Sequence, residues 1–186
     1  TSLRLAEIKN KYVKGKFNLS HLCSIHKAIF LDIYTWAGKL RTVNISKGNQ
    51  FCLSDVLIEY SEEIFLKLKN EKYLIGTDQN NIFKKLSYYL SEINTLHPFR
   101  EGNGRSQRIF IEYLANVAGY EVDFSDVTNE EMIVASADAF EMKYGKLNSL
   151  FERITNKIST DEQKDTIKYF FGINSPEMKY FLKLSQ

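Results

Sequence analysis

The chain has 186 residues, room for one domain with at most a short addition. Lys and Arg number 25 against 23 Asp and Glu, a net charge of +2 without any dense basic run, which argues against nucleic-acid binding by phosphate neutralisation. Hydrophobic residues make up 44%, with 13 Phe and 11 Tyr, enough to build a core and too much for wholesale disorder. No apolar run approaches the ~18 residues of a membrane span and no signal-peptide pattern opens the chain, so a soluble protein without membrane contact is expected. Cys23 and Cys52 have neither metal-ligand spacing nor a disulfide framework, which fits a reducing cytoplasm. Because the chain opens on Thr1 rather than Met, it is expected to be a piece of a longer protein.

With only two prolines and nine glycines, long helices are permitted almost everywhere. Leu19, Leu22, Cys23, His26, Ile29, Phe30 and Ile33 recur at helical spacing and predict a helix between Asn18, a good N-cap, and Trp36, with Gly38 as its stop. His26 falls on the apolar stripe and is expected to be a satisfied packing residue. His21, nearer the helix start, is expected to face solvent. Trp36 and both cysteines read as buried. Residues 41–53 break the helical pattern, and two short runs around Lys47-Gly48-Asn49 predict a hairpin.

Helical spacing resumes over residues 54–70, through Val56, Leu57, Tyr60, Ile64 and Leu68, and again over 79–96, through Ile82, Leu86, Leu90 and Ile93. A third run, over 103–118, carries Ile109, Phe110, Tyr113, Leu114 and Val117 and stops at Gly119. Thr128-Asn-Glu-Glu131 has capping-box form before a further helix, and Leu147, Leu150, Phe151 and Ile154 mark one more helical face. Residues 159–166 are polar and the last twenty are aromatic again. The sum is an all-α domain with one small β-hairpin, over 1–158, followed by a helical appendage or linker over 159–186.

One segment stands apart: His97-Pro-Phe-Arg-Glu-Gly-Asn-Gly-Arg-Ser-Gln-Arg108, a loop that leads into a helix start. Gly102 and Gly104 permit a tight turn and close approach of a ligand to main-chain N–H groups, and such a helix start favours anions. Arg105 and Arg108, three apart, fall on one side of the first turns and can grip phosphate oxygens. Glu101 is a hard oxygen ligand of the kind Mg²⁺ takes when it also holds phosphates, and His97 is a candidate general base. The residues therefore point to a Mg-nucleotide site with a histidine base.

The segment resembles the signature of the Fic family, His-x-Phe-x-Asp/Glu-Gly-Asn-Gly-Arg-x-x-Arg, and matches it at every defined position. Ile25-His26, Ile33-Tyr34-x-Trp36-Ala-Gly38, Arg41 to Gly48, Gly119-Tyr120, Glu131-Met132 and Ala135-Ser136 to Phe140 are similar to the same family, so the likeness covers roughly residues 1–155. The resemblance implies the helical Fido fold and transfer of AMP from ATP to a Tyr, Ser or Thr hydroxyl of a target protein, releasing pyrophosphate. It implies His97 as the general base, Phe99 as a core anchor, and Glu101 as holder of Mg²⁺ on the α- and β-phosphates. Gly102, Asn103 and Gly104 would form the anion hole, with Asn103 stabilising charge at the α-phosphate. Arg105 and Arg108 would bind the outer phosphates, and Arg100 belongs to the same nucleotide-binding loop. The hairpin at Lys47 and Gly48 looks like the family's flap, which lines the nucleotide site and registers the target by strand pairing.

A Gly at position 104 fits AMP transfer rather than the family's phosphate-transferring branch, which carries Lys there; phosphorylation or phosphocholine transfer, or a catalytically silent nucleotide-binding regulatory module, are the alternatives. Many Fic proteins carry an inhibitory Ser/Thr-x-x-x-Glu helix whose glutamate pairs with the residue equivalent to Arg108. No Ser or Thr of this chain has Glu four residues on, and Ser175 is followed there by Lys179. Inhibition is therefore expected from an upstream segment or, preferably, from a separate small antitoxin protein. The resemblance implies action in the bacterial cytoplasm, or in a recipient cell as a delivered effector.

Overall fold

A computed structural model describes residues 1–47 and 49–185. Nine α-helices lie among the described residues: α1 Ser2–Asn10, α2 Leu19–Phe30, α3 Leu57–Asn70, α4 Gln79–Leu96, α5 Asn103–Ala118, α6 Asn129–Phe140, α7 Gly145–Ile154, α8 Thr160–Phe171 and α9 Pro176–Leu184. A short 3₁₀ turn, Ser54–Val56, leads into α3. The hairpin is present, with β1 Ser46–Lys47 antiparallel to β2 Asn49–Gln50 and Ser46 opposite Gln50. A second two-stranded ladder, which the sequence pattern did not announce, pairs β3 Tyr120–Val122 with β4 Thr155–Lys157.

Helix α5 is the hub, contacting α2, α4, α8 and β3. Eleven of its sixteen residues are buried, Asn103, Ser106 and Gln107 among them, because neighbours cover it on most sides. Its end follows from Gly119, whose φ of +97° suits a residue without Cβ. The predicted bounds of α4 and α5 hold to the residue. Asn18 caps α2 by accepting from the His21 N–H, and Thr128 caps α6 by accepting from Glu131 N–H. The full reciprocal capping box belongs instead to α8, where Ser159 and Glu162 satisfy each other's backbone.

Three expectations need correction. Helix α2 ends at Phe30 rather than near Trp36; the chain continues in turns that leave Leu31 and Ile33 exposed, so those apolar side chains cover no core. Trp36, Cys23 and Cys52 are half-buried rather than buried. His21 does not face solvent: it is 1% exposed, with Nδ1 accepting from Phe17 N–H at 3.2 Å and Nε2 donating to the Val13 carbonyl at 2.7 Å. Residues 11–17 and α8 close over it, bringing Phe17, Tyr113 and Phe170 against its ring. Burial holds this imidazole down at about 4, hence neutral.

Helices α8 and α9 dock on the rest through Ile167, Phe170, Met178 and Phe181, all buried. Phe170 touches Tyr12, Phe17, His21 and Tyr113, and the Tyr169 hydroxyl donates to the Tyr12 carbonyl. Among the described residues no helix is long and apolar enough to cross a membrane.

Candidate active site

Helix α4 stops at Leu96 because His97 adopts the left-handed conformation, φ 42° and ψ 59°, while its N–H still donates to the Ile93 carbonyl. That conformation costs a non-glycine residue on the order of 1–2 kcal/mol, so the surroundings must hold it. The Arg41 guanidinium donates from Nε to the His97 carbonyl at 2.8 Å, and the His97 ring lies face to face with Phe51, centroids 3.8 Å apart and planes 16° off parallel. His97 Nδ1 stands 3.2 Å from the Asn94 carbonyl. A carbonyl only accepts, so Nδ1 donates to it, and in the neutral ring the base position is then Nε2.

The loop beyond is anchored from beneath. Phe99 has no exposed surface and stacks on His26 at 3.9 Å. His26 accepts from Gly38 N–H on Nδ1 (2.9 Å) and donates from Nε2 to the Glu101 carbonyl (3.0 Å), so its packing role also fixes the loop. Asn103 is 3% exposed; its Oδ1 accepts from Phe99 N–H at 2.9 Å and its Nδ2 donates to the Phe99 carbonyl at 2.7 Å. The Asn103 side chain thus clamps the loop, and its backbone opens α5.

Gly102, at φ +83°, turns the chain into that helix, and no side chain caps the helix start. The first-turn N–H groups of α5 and the positive end of its dipole therefore face outward as an anion cradle. Arg105 lies over the Phe30 ring at 4.5 Å and 3.9 Å from the Glu101 carboxylate. Arg108 is half-buried; desolvation pulls its pKa down and the Arg105 charge adds to this, while Glu112, one turn along, opposes it. Two cations on one helix face repel, and a polyphosphate between them would relieve both. Burial raises the Glu112 carboxyl, against the pull of Lys9, whose Nζ is 3.3 Å away.

His97, Arg100, Glu101, Gly102, Asn103, Gly104, Arg105 and Arg108 all line one cleft of about 790 Å³. Ile45, Ser46 and Phe51 of the hairpin form one rim, and Met132, Ile133 and Phe140 of α6 the opposite wall; Phe51 meets Phe140 edge to face at 6.3 Å. Lys47 takes part in the hairpin pairing through its backbone, while its side chain and Gly48 lie outside the described residues. Phe51, which lines the cleft, and Arg41, which holds the His97 turn from outside it, are residues that sequence spacing did not single out. No metal-binding group of three or more His, Cys, Asp or Glu occurs among the described residues. Glu101, exposed on the cleft with its Oε1 accepting from Gly102 N–H, fits an ion that takes one protein carboxylate together with substrate phosphates and water, as Mg²⁺ does.

An uncapped helix start, two arginines and His97 share one cleft of an α-helical scaffold, an arrangement suited to binding phosphates. The chain belongs to the Fic/DOC family, whose sequence profile matches residues 16–115. It is 38% identical over 173 residues to protein adenylyltransferase VbhT of Bartonella schoenbuchensis, covering 92% of this chain and 36% of that protein. It is 35% identical to the probable protein adenylyltransferase Fic of Salmonella typhimurium, covering 87% of this chain and 80% of that one. The fold matches the N-terminal Fic domain of a VirB-translocated Bep effector protein from Bartonella quintana, solved with bound ADP, at a TM-score of 0.82 and 26% identity over 86% of this chain and 82% of that one. The chain thus spans about a third of the first relative and four-fifths of the second.

Proposed function

We propose that this chain is a protein adenylyltransferase that moves AMP from ATP to a Tyr, Ser or Thr hydroxyl of a target protein. The observation that carries the reading is that His97, whose Nδ1 is turned to the Asn94 carbonyl, lines the same cleft as the α5 helix start and its arginines. The names of the relatives support the same chemistry.

In this reading the β- and γ-phosphates of ATP rest on Arg105 and Arg108, and the first-turn N–H groups of Asn103 and Gly104 hold the α-phosphate. Arg100 and Gly102 complete the nucleotide loop. Nε2 of His97 takes the proton of the target hydroxyl as its oxygen bonds to the α-phosphorus. The bond from that phosphorus to the bridging oxygen breaks, and pyrophosphate leaves with the electron pair. Charge builds on the α-phosphate oxygens, which face fixed N–H dipoles already oriented for it. Glu101 would hold Mg²⁺, which would neutralise phosphate charge. The target backbone pairs along the flap at Lys47 and Gly48, since an added strand is a general mode of peptide recognition.

Residues 1–158 act as the transferase domain and 159–186 as a helical appendage docked on it. A separate small antitoxin restrains the enzyme with a Ser/Thr-x-x-x-Glu helix whose glutamate pairs with Arg108. The site of action is the bacterial cytoplasm, or a recipient cell reached by secretion. The test is incubation with α-labelled ATP, Mg²⁺ and cell lysate beside His97→Ala. Labelled protein bands that fall about 10²–10⁴-fold in the variant support the reading. Equal labelling by both, or none from either with nucleotide still bound, overturns it.

A further inference from the structure

Arg41 is the most deeply buried charge described in the molecule, 2% exposed, and it has no carboxylate partner. Its guanidinium donates instead to carbonyls from three separate segments. Nε reaches His97 O at 2.8 Å, Nη1 reaches Val43 O at 2.8 Å, and Nη2 reaches Cys52 O and, at 3.5 Å, Leu96 O. Its own backbone N–H donates to Pro98 O at 2.9 Å, and Cys52 N–H donates to Thr95 O at 2.9 Å. The side chain therefore ties both stems of the flap, at Val43 and Cys52, to the turn that carries His97.

Burying a cation among neutral acceptors is costly, and a neutral side chain could close a helix end as well. What only the planar fork supplies is three fixed directions at once. The tie also sets the register of one ring pair. Phe51 precedes Cys52, and its ring is stacked on His97 at 3.8 Å, so the two ends of that stack hang from the one guanidinium.

We propose that Arg41 is a positioning residue for the transfer reaction: by holding the flap stem and the His97 turn as one body, it fixes the His97 imidazole against Phe51 at the mouth of the nucleotide cleft. This rests on the reading of His97 as the base. Arg41 itself does not line the cleft, so it acts through His97 and not on the nucleotide.

The test is Arg41→Lys, which keeps the charge and loses the fork. The expected result is a fall of about 100-fold in the initial rate of label transfer from saturating α-labelled ATP into lysate protein, since small misplacements of a reacting group cost that much. The apparent KM for ATP should stay within about two-fold, because the phosphate cradle is untouched. With three histidines in the chain, the His97 ring resonance can be assigned by NMR, and in the variant it should lose the ring-current shift that the Phe51 stack imposes. Phe51→Leu should lower the rate as well, and the double variant should lose less than the product of the two. An unchanged rate, or a KM that rises in step with the rate loss, overturns the proposal.

Should Arg41→Lys fail to fold, hydrogen exchange on the unaltered chain decides. The amides of Cys52 and His97 should open with one common free energy, and clearly separate openings overturn the coupling. The resonance and exchange readouts need no transfer, so they stand or fall apart from the enzymatic reading.

Discussion

Gly102 and Gly104 sit two residues apart at the start of α5 and do different work. Gly102 has φ +83°, and a Cβ there would fall 2.4 Å from the Phe30 ring on which Arg105 rests. Gly102→Ala should cost about 1–3 kcal/mol and weaken nucleotide binding, read by thermal melting and by titration with a non-hydrolysable ATP analogue. Gly104 has ordinary helical backbone, and a Cβ there would meet only Arg108 Nη1 at 3.7 Å. Gly104→Ala should leave stability unchanged or raise it by less than about 1 kcal/mol, yet slow transfer, because the methyl stands where phosphate approaches the backbone. A stable Gly104→Ala variant with full transfer would contradict close approach at that residue. The motif was legible because its chemistry lies in twelve consecutive residues. Arg41 and Phe51 were not, since what defines them is a set of carbonyls from the two flap stems and the turn at 95–98 and the ring of His97, which no local spacing encodes.

At the scale of elements, α4 and α5 could be read to the residue because each holds four or more turns of regular apolar spacing and ends on a clear signal: His97 in the left-handed conformation before Pro98 for the first, Gly119 for the second. Helix α2 was overread because Ile33 continues the apolar spacing although nothing covers it. The β3–β4 ladder joins three-residue strands more than thirty positions apart, too short to show a period. His21 shows the same limit, for its cover comes from residues 11–17 and from α8. That cover has a pH consequence. The folded imidazole titrates at about 4, below the 6.5 of a free histidine, so the unfolded chain binds the proton more readily. The His21 contribution is whole above pH 6.5 and is lost as pH falls toward 4, by on the order of 3 kcal/mol at most. Melting temperatures between pH 7.5 and 4.5 should therefore fall more steeply for the parent chain than for His21→Asn. Parallel curves would contradict the assignment.

For the molecule as a whole, one aromatic cluster joins the N-terminal residues 12–17, the hub helix α5 and the C-terminal α8. Helix α8 is thus held by the same core that positions α5, whose first turn opens on the cleft. Phe170→Ala removes the ring at the centre of this junction and should cost about 3–5 kcal/mol, seen as a lower melting temperature. Because the cleft lies at the other end of α5, nucleotide affinity below that melting point should change little. Loss of affinity at full folding would mean that α8 shapes the cleft directly.

If the cleft transfers AMP with His97 as the base, the transferred group is itself the signature of the reaction. The most direct measurement is the intact mass of a labelled target isolated after reaction with ATP and Mg²⁺, followed by fragmentation to locate the adduct. The expected result is the mass of one AMP group on a Tyr, Ser or Thr oxygen, absent when His97→Ala replaces the parent chain. A phosphate or phosphocholine adduct, or an AMP adduct that persists in His97→Ala, would contradict it.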